Sequence, residues 1–103
     1  MRGIVKYNEE VAGYLFKNGD NYVFEYTPEY YKSDSPPISR SFPKDRYQYV
    51  SRFLFPFFSG LLAEGPQREL QSRILKIDPK DEFNLLLNTA VNTIGAISVV
   101  KEE

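Results

Sequence analysis

Apolar residues crowd most densely between positions 50 and 62. Val50, Phe53, Leu54, Phe57, Phe58, Leu61 and Leu62 recur at i, i+3, i+4, i+7, i+8, i+11 and i+12, which predicts one helix with a continuous apolar stripe. Pro56 limits where it starts, to between Ser51 and Phe55, because a proline deeper in a helix removes a backbone hydrogen bond and strikes the preceding turn. Gly60, within the stripe, points to a close neighbour that a methyl group would strike. Val50, Phe53, Phe57, Leu61 and Leu62 are the expected core of this segment.

Before residue 45 the period is two. Gly3 to Tyr7, Val11 to Lys17 and Asn21 to Thr27 alternate as three strands of an antiparallel meander, with Asn8-Glu9-Glu10 as the first turn. Asn18-Gly19 supplies the second, a strong hairpin signal because both residues accept positive φ. Tyr22, Phe24 and Tyr26 share one face of the third strand. Gly13, in mid-strand, marks a bulge or the close approach of another backbone. Thr27 and Pro28 suit the N-cap and first position of a single helical turn over Pro28–Ser33. Ser33 to Pro37 reads as a linker, Ile38 to Phe42 as a short strand, and Lys44 to Tyr49 as a charged loop leading to the long helix.

Glu64-Gly65 ends that helix, and Pro66 stands at the first position of a second one, whose expected inward face is Leu70, Ile74 and Ile77. Asp78 as cap, Pro79 next, then Asp81 and Glu82 at the positive end of the dipole open a third helix. Its inward residues are Phe83, Leu86, Leu87, Ala90, Val91 and Ile94. Ala96 to Val100 is a β-branched run fit for a buried final strand that rejoins the meander, and Lys101-Glu102-Glu103 reads as a solvated tail. The expected fold is α+β: one domain over 1–103, an antiparallel meander of four to five strands, the C-terminal strand returning to the sheet, and three helices packed on it.

At 103 residues the chain can bury about two thirds of its unfolded surface, enough for one core. With no cysteine there is no disulfide framework or thiolate metal site, which fits a reducing cytoplasm. The lack of histidine removes the commonest general base, the usual zinc ligand and the Ser-His and Cys-His pairs. No glycine-rich phosphate loop is present. Glu9/Glu10, Asp81/Glu82 and Glu102/Glu103 read as solvated turn, cap and terminal charges rather than catalytic pairs. Glu64 differs in sitting at a helix–helix corner, where bonding to nearby backbone N–H groups is its expected role. No catalytic residue, metal ligand or cofactor is expected.

The start of the chain goes straight into strand alternation, with neither a signal peptide nor an apolar run long enough to span a membrane. Arg40, Lys44, Arg46 and Arg52 against Asp45 leave residues 39–52 at +3, with Tyr47 and Tyr49 among them. On a chain of net charge −1 this is a solvated loop or a protein-docking rim before it is a nucleic-acid grip, so direct nucleic-acid binding is not expected. Phe55 lies off the apolar stripe and Tyr30 and Tyr31 lie in a loop. These three are candidate partner-surface aromatics.

The order of signals resembles the N-terminal subdomain of HipA-like serine/threonine kinases, the toxins of HipBA toxin–antitoxin modules. Pro36-Pro37-Ile38-Ser39-Arg40-Ser41-Phe42-Pro43, then Phe57-Phe58-Ser59-Gly60-Leu61-Leu62-Ala63-Glu64-Gly65 with Arg68-Glu69, then Gly95-Ala96-Ile97 carry the resemblance over nearly the whole chain. Many relatives have a bulky residue such as tryptophan where Pro66 stands, and an acidic residue where Asn92 stands. The resemblance implies that the ATP-binding and catalytic elements lie C-terminal to such a subdomain. Met1 at the start and Lys101-Glu102-Glu103 just past the last strand fit a complete reading frame. The resemblance is then to HipS of tripartite HipBST systems, a small subunit that neutralises a separately encoded kinase. It implies as partners a HipA-like or HipT-like kinase subunit and, second to it, a HipB-like helix-turn-helix repressor. Two alternatives stay open: a structural subunit or fragment that completes an active kinase, and an accessory DNA-binding component of a repressor complex. The corner Glu64-Gly65-Pro66 with Arg68 is the expected contact surface, with Phe55, Tyr30 and Tyr31.

Overall fold

A computed structural model describes residues 1–91 and 95–102. The expectations placed on Asn92, Ile94 and Glu103 lie outside the described residues. Among those described, the elements run β1 (Arg2–Tyr7), β2 (Glu10–Asn18), β3 (Asn21–Tyr26), α1 (Pro28–Lys32), β4 (Gln48–Ser51), α2 (Pro56–Ser59), α3 (Gly65–Leu75), α4 (Glu82–Thr89) and β5 (Ile97–Glu102). The fold is α+β as expected, with four helical segments rather than three. The strands form one antiparallel sheet in the order β4-β3-β2-β1-β5.

The meander follows its sequence signals. Gly19 takes φ 63 and Asn18 pairs with Asn21, so the glycine alone supplies the positive φ of the hairpin. The register between β1 and β2 slips at Val5/Lys6, with Val5 opposite Gly13 and Lys6 opposite Val11, so Ala12 is the bulged residue. Gly13 beside it is paired with Val5 and shows the close backbone approach expected there, since a Cβ would lie 2.2 Å from the Glu25 carbonyl oxygen. The bulge changes the phase of the strand and buries Ala12 and Leu15 together, while Val11 is left exposed. Thr27 caps α1 as expected, its Oγ1 accepting the Tyr30 N–H at 3.1 Å, with Pro28 at the first position.

The expected long helix over 50–62 is absent. Gln48–Ser51 is a strand paired with β3, and only Pro56–Ser59 is helical. Proline forces the residue before it into an extended conformation, and Phe55 accordingly has φ −58 and ψ 135, so the helix starts at Pro56. Phe58 and Leu62 are buried and Phe57 and Leu61 pack against the core, but Val50 and Phe53 are exposed. Gly60 is the C-cap, and the nearest atoms to a Cβ there are its own Pro56 and Phe57 carbonyl oxygens, not a neighbouring element.

Ile38 to Phe42 is not a strand either. The buried Tyr26 hydroxyl accepts the Ile38 N–H at 3.1 Å and donates to the Phe42 carbonyl, curling the segment so that both side chains enter the core. Lys44 donates to the carbonyls of Ser33 and Ser35, each at 2.8 Å, closing the linker into a loop.

Of the inward face expected for α3, only Ile77, just past the helix end, packs against the core. Leu70 and Ile74 are exposed and Ser72 is buried, because the Ser72 hydroxyl finds a partner in the Ile77 carbonyl beyond the helix end. The Ile77 N–H bonds back to Ser72 O, with Lys76 in the left-handed region at φ 58, a Schellman-type stop on a non-glycine residue. Asp78 makes a turn rather than the cap, its Oδ1 accepting the Lys80 N–H. Asp81 is the N-cap of α4, its side chain accepting the Asn84 N–H. Phe83, Leu86, Leu87 and Ala90 are buried as expected, whereas Val91 is exposed. Strand β5 rejoins the sheet beside β1, and Lys101 and Glu102 belong to it rather than to a tail. One buried cluster joins Val5, Leu15, Phe24 and Val99 of the sheet to Phe58, Leu62, Phe83 and Leu86 of the helices.

Candidate partner-binding surface

The corner between α2 and α3 is built by its backbone. Glu64 is extended at φ −122, and Gly65 at φ 58 turns the chain in a region that glycine adopts without strain. Pro66 then fixes the first turn of α3. Arg68 reaches back: its Nε donates to the Ala63 carbonyl at 2.8 Å and its Nη1 lies 3.4 Å from Glu82 Oε2. Glu82 also accepts from the Ser59 hydroxyl at 3.4 Å, so one carboxylate in the first turn of α4 links α2, the corner and α3. Arg68 is therefore largely committed to holding the corner. Glu64 is exposed and makes no capping hydrogen bond, contrary to the role expected of it.

Glu64, Gly65, Arg68 and Glu69 line a shallow open groove of about 470 Å³ closed on its far side by Pro79 and Lys80. Sequence reasoning missed those last two, because they were assigned to a helix that starts later. The groove presents carboxylates and one ammonium group, so it can accept hydrogen bonds and pair charges. Among the described residues no three His, Cys, Asp or Glu side chains converge to hold a metal, and no buried side-chain polar atom lacks a partner.

The three candidate aromatics lie apart from this corner and are not equivalent. Tyr30, expected on an exposed loop, is fully buried. Its ring stacks on Tyr26 at 5.7 Å, and its hydroxyl donates to the Pro36 carbonyl. Phe55 is half-buried against Phe42 and Phe58. Tyr31 is half-buried and, with Tyr26, Pro28, Lys32 and Tyr47, lines an apolar groove of about 210 Å³. Tyr47, Val50 and Phe53 are exposed; the helical stripe concealed Val50 and Phe53, and Tyr47 was read into the charged loop. The period-two run Tyr47-Gln48-Tyr49-Val50-Ser51 is the signal that could have found Tyr47 and Val50.

Burial pushes the Tyr26 and Tyr30 phenols up to about 12. For Tyr26 the Ile38 N–H bond works in the opposite sense. At the sheet's other edge Arg2 makes a two-pronged contact with Glu102 at 2.8 and 2.6 Å, which holds the Glu102 carboxyl below its usual range.

These features define an α+β module: a five-stranded antiparallel sheet with helices on one face, carrying surface grooves and a rigid helix–helix corner. Residues 3–100 match the HipA N-terminal domain family, and the chain belongs to it. A solved structure described as the N-terminal domain of HipA toxin superposes with a TM-score of 0.77 at 32% identity, covering 99% of this chain and 92% of that one. An uncharacterized protein of Haemophilus influenzae is 33% identical over 94 residues, 91% of this chain and 86% of its own length. A protein of Sinorhizobium fredii described as "Putative kinase Y4mE" is 34% identical over 67 residues, which span 65% of this chain but 16% of that protein. The similarity is thus to the N-terminal domain of HipA and not to its kinase core. Among the described residues no helix is long and apolar enough to cross a membrane.

Proposed function

We propose that this chain is a non-catalytic interaction subunit of a HipA-type toxin–antitoxin module, binding a separately encoded HipA-like kinase and neutralising it. The observation that carries this reading is the match along residues 3–100 to the N-terminal domain of a toxin, at a TM-score of 0.77. The similarity to part of a larger protein named for kinase activity supports the nature of the partner. A module that contributes no reactive group regulates by differential binding: it holds an inactive kinase conformation, or blocks closure over nucleotide, more tightly than it binds the active form. The contact surface in this reading is the Glu64-Gly65-Pro66 corner with Arg68, extended by the half-buried Phe55 and Tyr31. Tyr30 supports it from within the core.

Co-expression with the cognate kinase tests this. Rescue of growth is the expected outcome, whereas kinase toxicity that requires this chain would establish a completing subunit instead. Glu64→Ala, whose carboxylate makes no capping bond, is expected to weaken kinase binding by about tenfold with the melting temperature unchanged. Unchanged affinity would remove the corner from the surface. The Glu64→Ala, Arg68→Ala pair weakens it further and also loosens the corner, so its melt is read alongside.

A further inference from the structure

The two edges of the sheet differ. On β5 the Val99 N–H donates to the Ala90 carbonyl at 2.9 Å, so the end of α4 occupies that edge. On β4 the Tyr26 N–H donates to the Tyr47 carbonyl at 2.8 Å, which sets the parity of the ladder: Tyr47 and Tyr49 turn their peptide groups toward β3, and Gln48 and Val50 turn theirs outward. Along this second edge Tyr47, Val50 and Phe53 are 55%, 58% and 77% exposed, and their positions are symmetrical about Val50.

We infer that β4 pairs antiparallel with β4 of a second copy of this chain, about a twofold axis at Val50. Outward-facing residues must oppose one another in such a ladder, which restricts the register. Gln48 opposite Val50 would set Arg46 directly against Arg52, a like-charge pair. Gln48 opposite itself would leave Phe53 outside the overlap. Val50 opposite Val50 avoids both and, continued past the strand ends, sets Tyr47 opposite Phe53 and Gln48 opposite Arg52. The match is self-complementary, as a twofold interface requires.

The apolar groove then has an occupant. Tyr47 forms one of its walls with Tyr26, Pro28, Tyr31 and Lys32. Phe53 of the second copy, on the bend that the Phe53 N–H bond to Ser51 Oγ makes just past β4, comes to the Tyr47 end of the seam. At about 210 Å³ the groove has room for a phenyl ring, and its almost wholly apolar lining, including the Lys32 stem, favours one. Charge agrees as well. The Gln48 side-chain amide donates to Glu25 Oε2 at 3.3 Å, so Arg52 of the second copy, opposite Gln48, comes beside the Glu25 carboxylate. Each contact occurs twice, and the paired sheets become one continuous sheet.

Sedimentation of the purified chain over a wide concentration range, with no kinase present, tests the pairing independently of the proposed function. The expected result is a concentration-dependent doubling of mass. Phe53→Ser, at an exposed position, raises the dissociation constant at least about tenfold. Val50→Pro deletes the outward N–H, a change an edge strand tolerates, and abolishes the dimer with circular dichroism unchanged. The chain has no cysteine, so Val50→Cys supplies a unique thiol at the axis. A hydrogen-bonded antiparallel pair places its Cα atoms about 5.5 Å apart, within disulfide range, so Val50→Cys is expected to oxidise to a covalent dimer. Val91→Cys, also exposed, is expected to stay monomeric. A monomeric mass at every concentration, or a dimer that survives Phe53→Ser and Val50→Pro alike, overturns the inference.

Discussion

At the scale of single residues, two tyrosine hydroxyls decide how the middle of the chain runs. Tyr26 packs edge-on against Phe24 at 5.0 Å, and its hydroxyl serves both the Ile38 amide and the Phe42 carbonyl. Tyr30 holds the Pro36 carbonyl. The alternation of Ile38 to Phe42 looks like a strand because its apolar residues do enter the core. They do so from a turn, and no local pattern discloses that a distant phenol satisfies the backbone. Burial raises both phenols from 10.0 to about 12. A raised pKa means the fold favours the neutral phenol, so this stabilisation is whole below the unfolded value near 10 and is lost as pH rises toward 12. In an alkaline titration followed by phenolate absorbance, Tyr26 and Tyr30 are expected to ionise near 12, together with loss of the circular dichroism signal. Tyr26→Phe removes one late-ionising group and lowers stability by about 1–3 kcal/mol, because two buried backbone groups lose their partner. Ionisation of all eight tyrosines before any loss of structure would contradict this account.

Elements with a local punctuation mark were mostly legible in the sequence, Asp78 and Gly60 being exceptions; those set by tertiary competition were not. Asn18-Gly19, Thr27-Pro28 and Gly13 each carry a backbone requirement within a few residues: the first located its hairpin, though the turn is Gly19-Asp20, the second its cap, and the third a close backbone approach next to the bulge at Ala12. The stripe from Val50 to Leu62 satisfies a helical period by coincidence. Tyr49 and Val50 fit a strand equally well, and the extended conformation before Pro56 settles the choice. Helix α3 is the clearest reversal, since the Ser72 hydroxyl bonded to Ile77 O lets a polar residue face inward while Leu70 and Ile74 face water. Two glycines separate a requirement for space from one for conformation. Gly13→Ala would place its Cβ 2.2 Å from Glu25 O and 3.0 Å from the Phe24 ring, between atoms of a paired strand that cannot retreat. A loss of about 3 kcal/mol, the upper end of overpacking costs, is expected in urea unfolding. Gly60→Ala meets only two carbonyls at 3.3 and 3.5 Å, at a right-handed φ of −67 that alanine adopts readily, so a change within about 0.5 kcal/mol is expected. Equal losses at the two positions would show that the bulge at Ala12, not the missing side chain, governs Gly13.

For the molecule as a whole, the determining contact is between its two ends. The sheet is a local meander until β5 returns beside β1, with Val99 opposite Val5 and Arg2 opposite Glu102. The need for that return was readable, because a β-branched run after the last helix must find a sheet to join. Its consequence for the candidate surface was not. The corner at Glu64 acquires its second wall, Pro79-Lys80, only through the position of α4, and α4 is fastened to β5 by the Val99 N–H bond to Ala90 O. Two substitutions in β5 separate its buried face from its exposed ion pair. Val99→Ala removes buried apolar volume beside Leu87, in the space that Gly3 leaves open, and is expected to cost about 1.5–3 kcal/mol. Glu102→Gln breaks a partly exposed pair and is expected to cost less. That smaller contribution has its own signature. Arg2 lowers the Glu102 pKa, so the contribution is present above the ordinary carboxylate range and is lost as pH falls, and Glu102→Gln should flatten the acid limb of the stability curve while Val99→Ala shifts it uniformly. If β5 closes the fold as a unit, hydrogen exchange in Val99→Ala accelerates in α4 and β1 together and by a similar factor. Acceleration confined to β5 would instead make the returning strand a separable latch, with the corner at Glu64 keeping its shape without it.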